Sequence, residues 1–221
     1  MPRAYWLVPF QRNTYFVSCE SQLNKLGTKL SSDVHCQHVV VVGLGGVGKT
    51  QIVLKFAYQK REISPNCSSF WILAINSATF EQAYLQVGQL LQIPGITEKN
   101  ADVKQLVKTR LSQESAGRWL LILDNADDID MLYQRMYSNY RLLALIDYLP
   151  SSHYGSIIFT TQTRKAAVKQ AGSNVIKVYK MDQVEAKEVL EKSLIQTHIL
   201  KEEEATVKLL ELLTCLPLAI V

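Results

Sequence analysis

The chain has 221 residues, of which 48% are hydrophobic and 20% charged, and its formal net charge is +4. This is the composition of an ordinary globular protein, which excludes disordered and fibrous classes, and so small a positive charge disfavours nucleic acid as a partner. The four cysteines form no CxxC pair, and no apolar run reaches the roughly 18 residues of a membrane span. We therefore expect a reduced, cytoplasmic protein with no membrane partner.

Five short apolar runs predict the strands of a parallel sheet. They are nearly continuous in aliphatic residues, which is typical of strands covered on both faces. The runs cover residues 38–42, 70–75, 119–123, 156–160 and 175–179. Helical periods lie between them, and Asp182 with Glu185 forms a capping-box pattern before a later helix. Strands that alternate with helices in this way predict a three-layer α/β fold.

The two ends of the chain are interpreted as separate units. A helix is predicted over residues 20–30, ahead of the first core strand. At the other end, an apolar helical stripe runs into the apolar segment 215–221. We expect an N-terminal segment over 1–37, a main domain over 38–182, and the truncated beginning of a helical domain over 183–221. The chain is thus expected to be a fragment of a longer protein.

The segment 43–50, GLGGVGKT, matches the phosphate-loop pattern G-x-x-x-x-G-K-[ST]. A Val-rich strand precedes it and an amphipathic helix follows, so a simple tight turn is the weaker alternative. Glycines let consecutive backbone N–H groups converge on phosphate oxygens, and the helix N-terminus adds its dipole. Lys49 is expected to reach the β- and γ-phosphates, and the Thr50 hydroxyl to ligate Mg²⁺.

Asp124 is the predicted carboxylate partner of that loop, because it ends the apolar run WLLILD. A magnesium carboxylate at a strand end is what phosphate loops require. Asn125 follows it, and Asp127 and Asp128 either cap the next helix or take part in the site. The guanine-reading pattern N/T-K-x-D does not follow the loop, so adenine is the favoured base.

Taken in order, these segments resemble the NB-ARC domain of STAND-class P-loop ATPases, and most closely its fungal NOD-like receptor members. FVSCE at 16–20 resembles the family motif FVGRE, and FWILAINSATFEQAY at 70–84 resembles its second-strand motif. RWLLILDNADD at 118–128 resembles the Walker B segment. SIIFTTQTRK at 156–165 resembles the sensor strand, and CLPLAI at 215–220 resembles GLPLA.

The resemblance implies a P-loop NTPase with five parallel strands in the order 5-1-4-3-2, followed by the start of a small helical domain. It places the segment 1–37 and Pro217 near the adenine. Such modules hold ADP at rest, exchange it for ATP and oligomerise in the full-length protein. The effector and repeat domains that normally flank them are absent from this chain.

The expected site combines the loop with the positions that the resemblance supplies. Lys49 and Asp124 are expected to be catalytic, and Thr50 and Asp124 to hold Mg²⁺. The nucleotide-binding set is Phe16, Val17, Gly43, Gly45, Gly46, Val47, Gly48, Lys49, Thr50, Gln51, Gln162, Arg164 and Pro217.

Three departures from the family motifs bear on the chemistry. Cys19 and Gln162 stand where the family has arginines, with Arg164 two residues further on, and Asn125 replaces a second acid that positions water. Asn cannot act as a base, so slow or absent hydrolysis is expected, and a neutral Gln162 predicts poor discrimination of ATP from ADP.

The favoured interpretation is a signalling switch that binds ADP or ATP with Mg²⁺. One alternative is a scaffold in which ADP is a structural ligand that does not switch. Another is an active ATPase with Asp127 as its base. Nucleic-acid binding is not expected.

Overall fold

The computed structural model describes residues 4–14, 16–17, 19–31, 35–138, 141–194 and 203–220. Within these residues the strands are β1 (Trp6–Leu7), β2 (Gln37–Val42), β3 (Ser68–Leu73), β4 (Trp119–Asp124), β5 (Met136–Ser138), β6 (Arg141–Leu143), β7 (Gly155–Thr161) and β8 (Val175–Lys177). The helices are α1 (Glu20–Lys29), α2 (Lys49–Ile63), α3 (Ser77–Leu90), α4 (Val103–Ser112), α5 (Ile129–Tyr133), α6 (Arg164–Ala171), α7 (Gln183–Ser193), α8 (Glu203–Leu212) and α9 (Pro217–Ile220).

The described strands form a parallel sheet in the order β1-β3-β4-β7-β2-β8 and a small antiparallel hairpin, β5-β6. The predicted α/β class is confirmed, and the five predicted strands keep the expected relative order. The predicted count is wrong, because β1 extends the sheet at the β3 edge. Its two residues are too few to show a strand pattern, and it is held by pairing of Trp6 with Ser69 and Leu7 with Phe70.

Alternating strand residues build two cores on opposite faces of the sheet. On one face, Val40 and Leu121 pack with residues of α3 and α4, including Phe80. On the other, Val41 and Ile122 pack with residues of α1 and α2. Since both faces are covered, the strands read as continuous apolar runs. The layering leaves the carboxyl ends of β2, β4 and β7 together at one edge, where the predicted loop begins.

The segment after β8 forms a third apolar cluster. It combines Ala186, Val189 and Leu190 of α7 with Leu210 of α8 and, from the N-terminal segment, Val17. The predicted capping box is present: Asp182 accepts from the Glu185 amide, and Glu185 accepts from the Asp182 amide. The helix therefore begins at Gln183, next to the predicted boundary, whereas β2 begins at Gln37, one residue before the expected start of the main domain. No helix among the described residues has the length and apolarity needed to cross a membrane.

Candidate functional site

The loop 43–48 connects β2 to α2, and two of its glycines have backbones that favour glycine alone. Gly46 has a φ of 79° and Gly48 a φ of 89°, in the left-handed region that side chains disfavour. Gly43 serves packing, because a Cβ there would lie 2.4 Å from the carbonyl oxygen of Val178. Glycine is thus required at Gly43 for lack of space, and at Gly46 and Gly48 for the backbone conformation.

Lys49, the first residue of α2, folds back over the loop. Its Nζ donates to the carbonyl oxygens of Gly43 and Leu44, each at 2.9 Å. Burial lowers the pKa of Lys49, and the carboxylates of Asp127 and Asp124 act in the opposite direction. The loop therefore carries a half-buried cation bonded to its own backbone, in reach of two acids.

Thr50 and Asp124 meet as predicted. The Thr50 hydroxyl donates to the two carboxylate oxygens of Asp124 at 3.0 and 3.3 Å, and Asp124 is buried. The Thr160 hydroxyl donates to the same carboxylate at 2.6 Å and accepts from the Asn125 amide at 2.8 Å. Asn125 has a φ of 63°, in the left-handed region. The hydrogen bond from its amide to Thr160 supports this turn after β4.

Thr160 is a residue of this site that the sequence did not single out. Replacing it with Val keeps its shape but leaves the Asn125 amide and one Asp124 oxygen without this partner. We expect a loss of about 1–3 kcal/mol in the free energy of unfolding, measured by chemical denaturation. Thr160→Ser, which retains the hydroxyl, should recover most of it, and a Val variant as stable as wild type would contradict this role.

Asp127 is engaged by the end of β7. It accepts from the Thr161 hydroxyl at 2.7 Å, from the Gln162 amide at 2.5 Å and from the Gln162 side chain at 3.0 Å. Gln162 thereby lies beside the loop, with its Oε1 3.2 Å from the position of a Cβ at Gly45. Arg164 is exposed at the first position of α6, and it is Gln162 that faces the loop.

A mostly apolar cavity of about 70 Å³ lies beside the loop, between the N-terminal segment and α7. Its lining includes six of the predicted residues. These are Phe16, Val17, Val47, Gly48, Gln51 and Pro217. Cys19, at the arginine position of the FVGRE-like segment, lines it as well, together with Met181 and Val189, which belong to no motif that the sequence offered.

The start of α9 rests on the loop. The Leu218 amide donates to the Gly46 carbonyl oxygen at 3.3 Å, and a Cβ at Gly46 would lie 3.2 Å from the Leu218 Cβ. Pro217 lies beside Gly48, with its Cγ 3.8 Å from the position of a Cβ there. Leu218, which the sequence reasoning missed as a site residue, thus covers the loop next to the predicted Pro217.

Cys19 occupies the position where an arginine was expected. Burial, followed by the charges of Glu185 and Glu20, raises the pKa of its thiol to about 11. We therefore expect Cys19 to stay protonated at pH 8 and to react with iodoacetamide more slowly than free cysteine, with the rate still rising up to about pH 11. Peptide mass spectrometry after timed alkylation measures this, and a rate that levels off near pH 8.5 would contradict it.

Residues 32–167 match the AAA domain family. The chain is 46% identical over 222 residues to a nucleotide-binding leucine-rich repeat (NLR)-like protein of Hyaloscypha variabilis, covering 98% of this chain and 22% of that protein. The chain thus spans about a fifth of that relative's length.

Two solved structures share the fold. The Walker-type ATPase of Pyrococcus abyssi has a TM-score of 0.65 at 14% identity, covering 96% of this chain and 67% of that one. A signal transduction ATPase with numerous domains (STAND) and a tetratricopeptide repeat sensor, from Pyrococcus horikoshii, has a TM-score of 0.55 at 19% identity, covering 95% and 30%. These likenesses support the P-loop ATPase architecture of the sheet and its helices.

Proposed function

The chain belongs to the AAA domain family of P-loop NTPases, and on that basis we propose that it is an NB-ARC-type module that binds ADP or ATP and acts as a signalling switch with slow or absent hydrolysis. The observation that carries this proposal is the bond from Thr50 to Asp124 at the base of the glycine loop. This bond joins α2, the helix that follows the loop, to the acidic end of β4. A nucleotide bound with Mg²⁺ requires such a hydroxyl and such a carboxylate close together.

The residues of this site fit both the nucleotide phosphates and Mg²⁺. The left-handed backbone at Gly46 and Gly48 shapes a loop whose amides suit phosphate oxygens, and Lys49 supplies a cation inside it. The Thr50 hydroxyl and the Asp124 carboxylate are hard oxygen ligands of the kind that Mg²⁺ prefers. When bound, Mg²⁺ neutralises charge on the β- and γ-phosphate oxygens. Lys49 and Asp124 are the residues that we assign to any catalysis.

The cavity beside the loop suits a purine base, and we propose adenine because no guanine-reading pattern follows the loop in the sequence. Phe16, Val17 and Val47 give it apolar walls, which suit the faces of a purine ring. Pro217 closes the side that α9 contributes. We propose that the N-terminal segment 1–37 and the helical region from 183 both touch the base, and that 38–182 carries the phosphates.

The residue type after Asp124 favours slow hydrolysis. Asn125 stands after Asp124 and cannot accept a proton as a carboxylate does. Asp127, the base of the alternative ATPase mechanism, already accepts three hydrogen bonds from Thr161 and Gln162. These bonds hold the carboxylate of Asp127 at the end of β7.

The contact of α9 with the loop favours a switch in which ligand state reaches the helical region. Leu218 lies against the loop at Gly46, and Pro217 lies against it at Gly48. A shift of the loop between the diphosphate and triphosphate states would therefore be transmitted directly to α9. The same contact also suits the second candidate, a scaffold in which ADP only joins the parts. In the longer protein we propose signalling, the role that the name of the STAND relative gives it. We propose a cytoplasmic location and oligomerisation through this module on the resemblance to NB-ARC domains alone.

Thermal melting with different nucleotides separates the two candidates. A ligand at 100 times its Kd stabilises by about 2.7 kcal/mol. A switch is expected to give a larger melting shift with ADP than with a non-hydrolysable ATP analogue at equal concentration. Equal shifts would overturn the switch in favour of the scaffold, and GDP serves as the control for base selectivity.

A further inference from the structure

Asp127 brings a negative charge to the edge of the loop, where its hydrogen-bond donors are neutral. In the part of the chain that the structure describes, these donors are the Thr161 hydroxyl and the backbone amide and carboxamide of Gln162. All three are neutral groups. Hydrogen bonds from neutral groups orient a carboxylate but do not cancel its charge.

The Gln162 side chain has a defined direction because of that pairing. Its Nε2 donates to Asp127 at 3.0 Å, so its Oε1 is turned to the loop, 3.2 Å from the position of a Cβ at Gly45. The side chain therefore presents an acceptor to the loop. Phosphate oxygens need donors, and one of the two N–H donors of the Gln162 carboxamide is occupied by Asp127.

Lys49 shows that the same carboxylate acts on the phosphate-binding lysine. Among the charges that raise the pKa of Lys49, Asp127 comes before Asp124, the expected Mg²⁺ ligand. Asp127 is thus an electrostatic neighbour of the group that holds the terminal phosphates.

We propose that Asp127 and Gln162 form a selectivity pair that admits a nucleoside diphosphate and disfavours the third phosphate of a triphosphate. This inference rests on the proposed nucleotide site and specifies its resting ligand. A γ-phosphate added beyond the diphosphate meets a carboxylate and a carbonyl oxygen in place of the donors that it requires. From the sequence alone, a neutral Gln162 predicts poor discrimination of ATP from ADP. With Asp127 beside it, we expect the site to prefer ADP over ATP.

The test is equilibrium titration of ADP and of a non-hydrolysable ATP analogue, with Mg²⁺ and with EDTA. Asp127→Asn removes the charge and keeps a similar shape. We expect the ratio of the two Kd values, analogue over ADP, to fall roughly tenfold, the order of effect that one unit charge has in a well-hydrated site. ADP affinity itself should change little.

Asp128→Asn is the matched control, because it removes the same charge one residue further along. Asp128 caps α5 by accepting from the Met131 amide at 2.8 Å, and Asn caps helices comparably. Its Kd ratio should equal that of wild type. If Asp127→Asn melts early, Gln162→Lys provides a second variant, since it leaves Asp127 in place and adds a cation beside it. The ratio should fall in that variant too.

The outcomes are distinct. An unchanged ratio in Asp127→Asn, with ADP still bound, would overturn the selectivity pair and leave the nucleotide site standing. A ratio that rises would also overturn it and would place Asp127 among the groups that support Mg²⁺. Wild-type protein that binds neither nucleotide would refute the proposed function itself, and the pair with it.

Discussion

Lys49→Ala is expected to weaken binding of both ADP and ATP by at least about 100-fold. Hydrogen bonds to charged groups contribute roughly 1.5–3 kcal/mol each, and every tenfold in affinity corresponds to about 1.4 kcal/mol. Lys49 is the cation that bonds the loop carbonyls of Gly43 and Leu44, from where its ammonium can exchange those partners for phosphate oxygens. Isothermal titration of each nucleotide measures the loss.

The fold of this variant should survive, because the hydrogen bonds of Lys49 run to its own loop and not to another element. Lys60→Ala is the control, since it removes a lysine from the same helix α2, three turns further along. That variant should bind like wild type. Undiminished ADP affinity in Lys49→Ala would show that the glycine loop does not hold the phosphates.

Gly155→Ala is expected to cause the largest loss of stability, about 3 kcal/mol or more in the free energy of unfolding. A Cβ at Gly155 would lie 2.1 Å from Cζ2 of Trp119 and 2.4 Å from two further ring atoms. Trp119 cannot yield, because it is buried and its Nε1 donates to the Leu111 carbonyl oxygen at 2.8 Å. In a protein of this size, each kcal/mol lowers Tm by about 2–4 °C.

Gly27→Ala supplies the contrast within the same chain. Gly27 lies in α1, and nothing is within 4 Å of an added Cβ. Since Ala is the better helix residue, that variant should gain about 0.5–1 kcal/mol. Chemical denaturation should show a lower free energy of unfolding for Gly155→Ala and a higher one for Gly27→Ala. A Gly155→Ala protein as stable as wild type would show that β4 and β7 can move apart without a loss of stability.

The sheet was largely predictable because its strands carry their signal locally. Residues of β2 and β4 are covered on both faces, so each strand reads as an apolar run whatever its partners are. The phosphate loop was equally visible, since its spacing is fixed by chemistry within eight residues. Asp124 followed from the loop, and its bond to Thr50 confirms that the two lie together.

What escaped prediction depends on contacts between distant residues. Strand β1 exists through its pairing with β3, 63 positions away in the Tyr5–Ser68 hydrogen bond. The role of Thr160 depends on the register between β4 and β7, which brings its hydroxyl to Asp124. The sequence predicts Gln162 as a neutral donor to phosphate, but one of its two N–H donors is taken by Asp127, 35 residues earlier. No sequence pattern indicates the direction in which the Gln162 side chain points.

The most direct test of the proposed nucleotide site is to identify the nucleotide carried by the purified protein. The chain is denatured, the released small molecules are identified by mass spectrometry, and their amount is compared with that of the protein. We expect ADP, approaching one molecule per chain, with little ATP. A chain that releases no nucleotide and then takes up neither ADP nor ATP in titration would contradict the assignment of Gly43 through Thr50 as a nucleotide site.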